Sequence, residues 1–164
     1  MGDSNNILDK TEKSAYNNLI SKRTFACSQA VNLAIQEEIY EGEFGGEIDE
    51  LIIKALAPFA GGSRENSLCG ALVGGIMALG INYGVEIDQM SNLDNLKDSY
   101  KPARKFYEEF DKENKSRFCF DIIGYNLNNE KERDAWLQEN GWKACAERCG
   151  KAARSAAKII LENE

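Results

Sequence analysis

The sequence predicts an all-α fold: a single-domain multi-helix bundle around a central glycine-rich helix. Three observations carry that expectation. Apolar residues recur at helical intervals along most of the 164 residues, period-two alternation is almost absent, and only two prolines interrupt the chain. A chain of this length hides roughly 70% of its unfolded surface on folding, enough for one self-sufficient core. Apolar residues at 43% and charged residues at 29% agree with a globular chain and exclude a disordered or collagen-like one.

The elements follow in order. Residues 1–12 are polar, carry Asp3 and Asp9, and lack the apolar core of a signal peptide, so they read as a flexible leader ahead of a domain at 13–164. Thr24 to Glu41 places Phe25, Val31, Ile35 and Ile39 on one helical stripe with Cys27 and Ala34 beside it, and Gly42, Gly45 and Gly46 end that helix. Ile48, Leu51, Ile52, Ala55 and Leu56 mark a second helix, halted by Pro58 and Gly61-Gly62. A third starts after Ser63 or Asn66, both good N-caps, and runs to about Tyr83. Leu93 to Phe118 is a charged amphipathic helix, irregular towards Pro102. Cys119 to Leu127 is a short helix or turn closed by Gly124, and Glu130–Glu139 and Trp142–Leu161 complete the set.

The longest apolar run, Leu68 to Ile81, holds four glycines and falls short of the ~20 residues that span a bilayer. It is expected as a buried helix. Were it an exposed apolar patch, it would be the surface for a homodimer. With neither a signal-peptide pattern nor a membrane span expected, the reading is a cytoplasmic protein that keeps its thiols reduced. A membrane partner is therefore not expected.

Composition narrows the chemistry further. The chain has no histidine, which removes His-based triads, Cys₂His₂ zinc sites and c-type haem attachment. Its net charge of −7 argues against nucleic acid, whose phosphates need a clustered basic face. Any metal must then be held by thiolates, carboxylates, backbone or water, and the five cysteines are the candidates for redox chemistry.

Cys145 and Cys149 are four apart on a helix, with Cβ atoms about 5–6 Å from one another, too far for a mutual disulfide. They could share a metal, pair elsewhere, or pack as small apolar side chains beside Ala152, Ala153, Ala156 and Ala157. Cys69, early in the third helix with Arg64 upstream, is the foremost reactive thiol, because helix N-termini favour a thiolate. Taken singly, Cys27 and Cys119 read as packing. Gly70 and Gly74 form a smooth stripe that suits close helix packing or the approach of a cofactor. Gly61-Gly62-Ser63 could hold an anion but lacks the Lys-Ser/Thr ending of a phosphate loop.

Several of these pieces form one pattern: Phe25-Ala26-Cys27-Ser28-Gln29-Ala30-Val31, the Gly61-Gly62 pair, Cys69-Gly70-Ala71-Leu72-Val73-Gly74-Gly75, Cys119-Phe120-Asp121-Ile122-Ile123-Gly124, and a C-terminal cysteine leading an alanine-rich helix. The pattern resembles the C_GCAxxG_C_C family over about Thr24 to Leu161, although Cys-Gly-Ala stands here where the family name has Gly-Cys-Ala. The resemblance implies a small helical redox protein whose spaced cysteines work together. The implied set is Cys27, Cys69, Cys119 and Cys149, with Cys145 as the alternative to Cys149.

Those residues would act either as ligands of an iron–sulfur cluster or another thiolate-bound metal, or as a dithiol/disulfide pair, with a redox partner that the sequence does not identify. Four thiolates without histidine match a soft-metal site. From a different class comes a non-catalytic helical interaction module with cysteines as core residues. A small-ligand pocket at the glycine-rich helix is the third reading.

Overall fold

The computed structural model describes residues 2–42 and 45–162. Among them are eight α-helices and no sheet: α1 (Gly2–Ile20), α2 (Cys27–Ile35), α3 (Glu50–Leu56), α4 (Gly70–Tyr83), α5 (Leu93–Asn114), α6 (Cys119–Ile123), α7 (Glu130–Gln138) and α8 (Gly141–Glu162). The all-α expectation holds. No helix among the described residues is long and apolar enough to cross a membrane.

The largest departure is at the start. Where the sequence suggests a flexible leader over 1–12, α1 is already formed from Gly2, and Leu8 and Thr11 are buried with Ala15 and Leu19. These four lie three or four residues apart, one side of a helix, and α1 packs along α8. The stripe is hard to see because two of its members are Thr and Ala. Thr11 is accommodated there by donating its hydroxyl to the Ile7 carbonyl at 2.9 Å.

Helix α2 starts at Cys27, later than Thr24, because the Thr24 hydroxyl accepts the Ala26 N–H at 3.0 Å and holds a turn ahead of it. It runs on into a π-helical stretch, Gln36–Glu41. A buried polar ladder ties this region to its neighbours. Asn32 donates to the Gly74 carbonyl at 3.1 Å, Gln36 donates to Asn32 at 2.7 Å, and the Asp49 N–H donates to Gln36 at 2.5 Å. Each buried amide thereby finds a partner. Asp49 also caps α3 by accepting from the N–H groups of Leu51 and Ile52.

Helix α4 begins at Gly70, several residues after the expected caps. The intervening Gly61, Gly62, Ser63, Arg64 and Asn66 all have positive φ, which precludes a helix start there. Once begun, α4 is the buried glycine-rich centre, packed on α2, α5 and α8. A Cβ on Gly74 would collide with the Ser28 carbonyl of α2, and one on Gly75 with the Phe106 ring of α5. Exposure along α4 begins at Met77 and Ile81 near its C-terminal end, so the run presents no continuous apolar patch. Helix α5 passes through Pro102 without a break and buries Phe106 and Phe110. Helix α8 turns its alanine face inward, with Ala153, Ala156 and Ala157 fully buried.

Candidate functional site

Three cysteines stand where helices begin. Cys27 is the first residue of α2, Cys69 the N-cap of α4, and Cys119 the first residue of α6. The other two, Cys145 and Cys149, lie one turn apart in the middle of α8. A short antiparallel bridge between Leu68 and Phe118 brings two of the starts together. In it the Cys69 N–H donates to the Arg117 carbonyl, and the Cys119 N–H to the Ser67 carbonyl, both at 2.8 Å. Gly62, with φ of +63°, lies over Cys119, and a Cβ there would come within 2.8 Å of the Cys119 Cβ. Across α4, the glycine stripe admits α2: a Cβ on Gly70 would lie 3.2 Å from that of Cys27. Glycine is therefore the element of sequence that lets three helix starts crowd one point.

At that point is a cavity of about 220 Å³ whose walls include Cys27, Cys69, Cys119 and Cys145. Cys149 is fully buried behind Cys27, and its thiol donates to the Cys27 carbonyl at 3.8 Å. The Cys27 thiol is in contact with the thiols of both Cys145 and Cys149. All five are free thiols. Gly70 lines the cavity, whereas Gly74, also a candidate to face a cofactor, is closed over by Ser28 and serves helix packing. Among the described residues, no three Cys, Asp or Glu side chains are already placed to hold a single metal ion.

Burial dominates the electrostatics. It pushes the Cys69 thiol up to about 12, with the nearby Cys119 sulfur adding to the rise, while the Ala71 N–H and Arg148 act in the other direction. Cys119 is raised to about 11 by burial and Cys145, against the pull of Arg148 and Arg64. For Cys27, contact with Cys145 favours the thiolate, but contact with Cys149 and burial outweigh it. Contact with Cys27 and burial raise Cys145 well above its usual value. Cys149 is raised too: its contact with Cys27 favours the anion, and burial and the neighbouring sulfurs overcome that. The reduced site is therefore a nest of neutral thiols at neutral pH.

Arg148 is the residue that sequence reasoning missed. Its guanidinium lies 3.7 Å from the Cys145 sulfur and is steadied by Asn114, which accepts from Nε at 2.9 Å. The signal was present in its spacing: three residues after Cys145, it shares that face of α8. The aromatic wall was missed as well, because Phe25, Trp136 and Trp142 come from three segments and meet only in the fold.

The model of the family described as "Putative redox-active protein (C_GCAxxG_C_C)" matches residues 25–163, nearly the whole chain. The chain belongs to this family. No curated protein and no solved structure matches it. Helix α1 lies ahead of the matched residues, whereas all five cysteines lie within them.

Proposed function

We propose that this family member is a thiol-based redox protein whose working pair is Cys27 and Cys145, alternating between dithiol and disulfide. The observation behind the reading is the contact of the Cys27 thiol with Cys145 in the wall of one cavity, with Cys149 behind it. On oxidation, Cys27 and Cys145 release two protons and two electrons as the S–S bond forms. A two-electron acceptor in the cavity takes up the electrons, and a reductant reverses the step. Cys145 faces the cavity and has Arg148 at 3.7 Å, which offsets part of the burial that keeps the thiol neutral, so it is the first to react. Cys27 then closes the disulfide. Cys149, sealed behind Cys27, is a second partner to which the bond can pass by exchange. Five free thiols suit a cytoplasmic setting, where such bonds are transient.

A second reading has support in the donor chemistry. Cysteines from four segments line the cavity and no carboxylate does, so its metal-ligating side chains are the soft thiolates that a soft metal selects. Cys27, Cys69 and Cys119, with Cys145 or Cys149, would then ligate an iron–sulfur cluster or another thiolate-bound metal, which would supply one-electron transfer. The side chains as they stand do not form a single-ion site, so ligation would require them to move. Cysteines that merely pack, as in an interaction module, have no reason to gather around an open cavity.

Disulfide mapping distinguishes these readings. Protein purified without oxygen is oxidised with diamide, its remaining thiols are alkylated, and its peptides are analysed by mass spectrometry. A Cys27–Cys145 cross-link is expected, diverted to Cys27–Cys149 in the Cys145→Ser variant. Cys27 remaining free throughout would remove the proposed pair. Bound iron and sulfide with visible charge-transfer absorption in the same preparation would establish the metal reading instead.

A further inference from the structure

The cavity beside the thiols has a chemical character that neither redox reading uses. The chain carries 27 acidic and 20 basic residues, yet no acid lines this cavity, while Arg64, Arg133 and Arg148 do. Two of these arginines are anchored by neutral groups. Arg64 donates to the Leu127 carbonyl at 3.0 Å, and Arg148 to the Asn114 side chain and towards Cys145. No ion pair joins either of them to a carboxylate among the described residues. A guanidinium has five N–H donors, so each keeps several unspent, together with its full charge.

Arg64 and Arg148 line the same cavity as Cys119, and the charge of each favours the Cys119 thiolate. The rest of the wall is apolar and aromatic. Phe25 meets Trp142 edge-on at 5.8 Å between ring centres, and Trp142 meets Trp136 at 5.0 Å. Phe25 is 60% exposed, which places the open end of the aromatic wall at the surface. Arg64 at the exposed rim and the half-buried Arg148 keep donors to spare, and a carboxylate accepts from guanidinium groups in paired hydrogen bonds.

We propose that the cavity binds a small apolar monocarboxylate, its carboxylate held by Arg64 and Arg148 and its aryl or branched alkyl body lying against Phe25, Trp136 and Trp142. This places the ligand beside Cys145. That it is the electron acceptor, and not only a ligand, rests on the redox reading; its binding does not.

The test uses the only two tryptophans in the chain, Trp136 and Trp142, both in the cavity wall. Their fluorescence is followed in the full-length reduced protein as 4-phenylbutyrate, 4-phenylbutanol or 4-phenylbutylamine is added. The carboxylate should give a saturable change, with affinity about tenfold above that of the alcohol, the size of one charge-assisted hydrogen bond. The amine should bind more weakly than either. In Arg64→Gln and Arg148→Gln proteins with unchanged far-UV circular dichroism, the preference for the carboxylate over the alcohol should fall by a similar factor. Equal affinity for acid and alcohol, preference for the amine, or no saturable change in folded protein would overturn the proposal. No electron is transferred in this titration. Carboxylate binding without a Cys27–Cys145 disulfide would therefore end the redox reading alone, and the disulfide without binding would end this one alone.

Discussion

At Cys69, two opposed influences meet on one sulfur. Its place at the cap of α4 and the Ala71 N–H favour the thiolate, as the sequence suggests, but only 5% of the residue is exposed and burial wins. That Cys69 lies near a helix start is read from the sequence; its neighbours Cys119, Cys145 and Arg148 are distant in it, so the burial is not. The outcome has a signed consequence for stability. The folded protein keeps the Cys69 proton up to about 12, whereas the unfolded chain releases it near 9.0. Above pH 9 the unfolded state therefore binds fewer protons, so stability is whole below that pH and is lost as pH rises towards 12. A shift of this size corresponds to about 4 kcal/mol. Urea unfolding of the reduced protein should show its midpoint falling between pH 9 and 11. The fall should be clearly shallower in Cys69→Ala, and parallel pH profiles would show that Cys69 titrates as an ordinary thiol.

At the scale of the element, α4 explains why so many glycines sit in one helix. Each costs about 0.5–1 kcal/mol relative to alanine in a helix interior, so only some positions can have a compensating role. Gly74 has one, since a Cβ would collide with the Ser28 backbone, which cannot swing aside as a side chain would. Gly80 has none, with nothing within 4 Å of its would-be Cβ. Gly74→Ala is therefore expected to destabilise by about 1–3 kcal/mol through overpacking. Gly80→Ala should stabilise by about 0.5–1 kcal/mol. Chemical denaturation of the two variants checks both signs, and a tolerated Gly74→Ala would mean that α2 and α4 are not in close contact. The helical periods and the stripe Gly70–Gly74 were legible in the sequence, because they are local patterns. The start of α4 was not. It depends on the positive φ angles of Gly61 to Arg64 and of Asn66, and Ser63 and Arg64 have no intrinsic preference for that conformation.

Across the whole molecule, the site depends on helices that contribute no sulfur. That cysteines from separate segments act together was implied by the family pattern. That Cys145 faces the cavity while Cys149 is sealed behind Cys27 was not, because one turn of α8 separates them and only the packing of α2 on α8 decides which faces inward. Helix α1 sets that packing from the other side. It lies ahead of the residues the family model matches, yet it puts Leu8, Thr11, Ala15 and Leu19 into the core. Its backbone also approaches α8 closely enough that a Cβ on Gly150 would come within 2.9 Å of the Glu12 carbonyl. Arg154 of α8 reaches back to Asp9 and Glu12. Burying Leu8 and Leu19 alone is worth about 3–6 kcal/mol, and their loss would also leave the facing side of α8 in water. Removing residues 1–22 should therefore lower Tm by about 10–20 °C in a chain of this size. Diamide should then join cysteines indiscriminately, because α8 no longer holds Cys145 and Cys149 to their separate sides of Cys27. Circular dichroism melts with disulfide mapping of the truncated protein test both effects. An unchanged Tm and an unchanged Cys27–Cys145 cross-link would show that the matched region holds its site without α1.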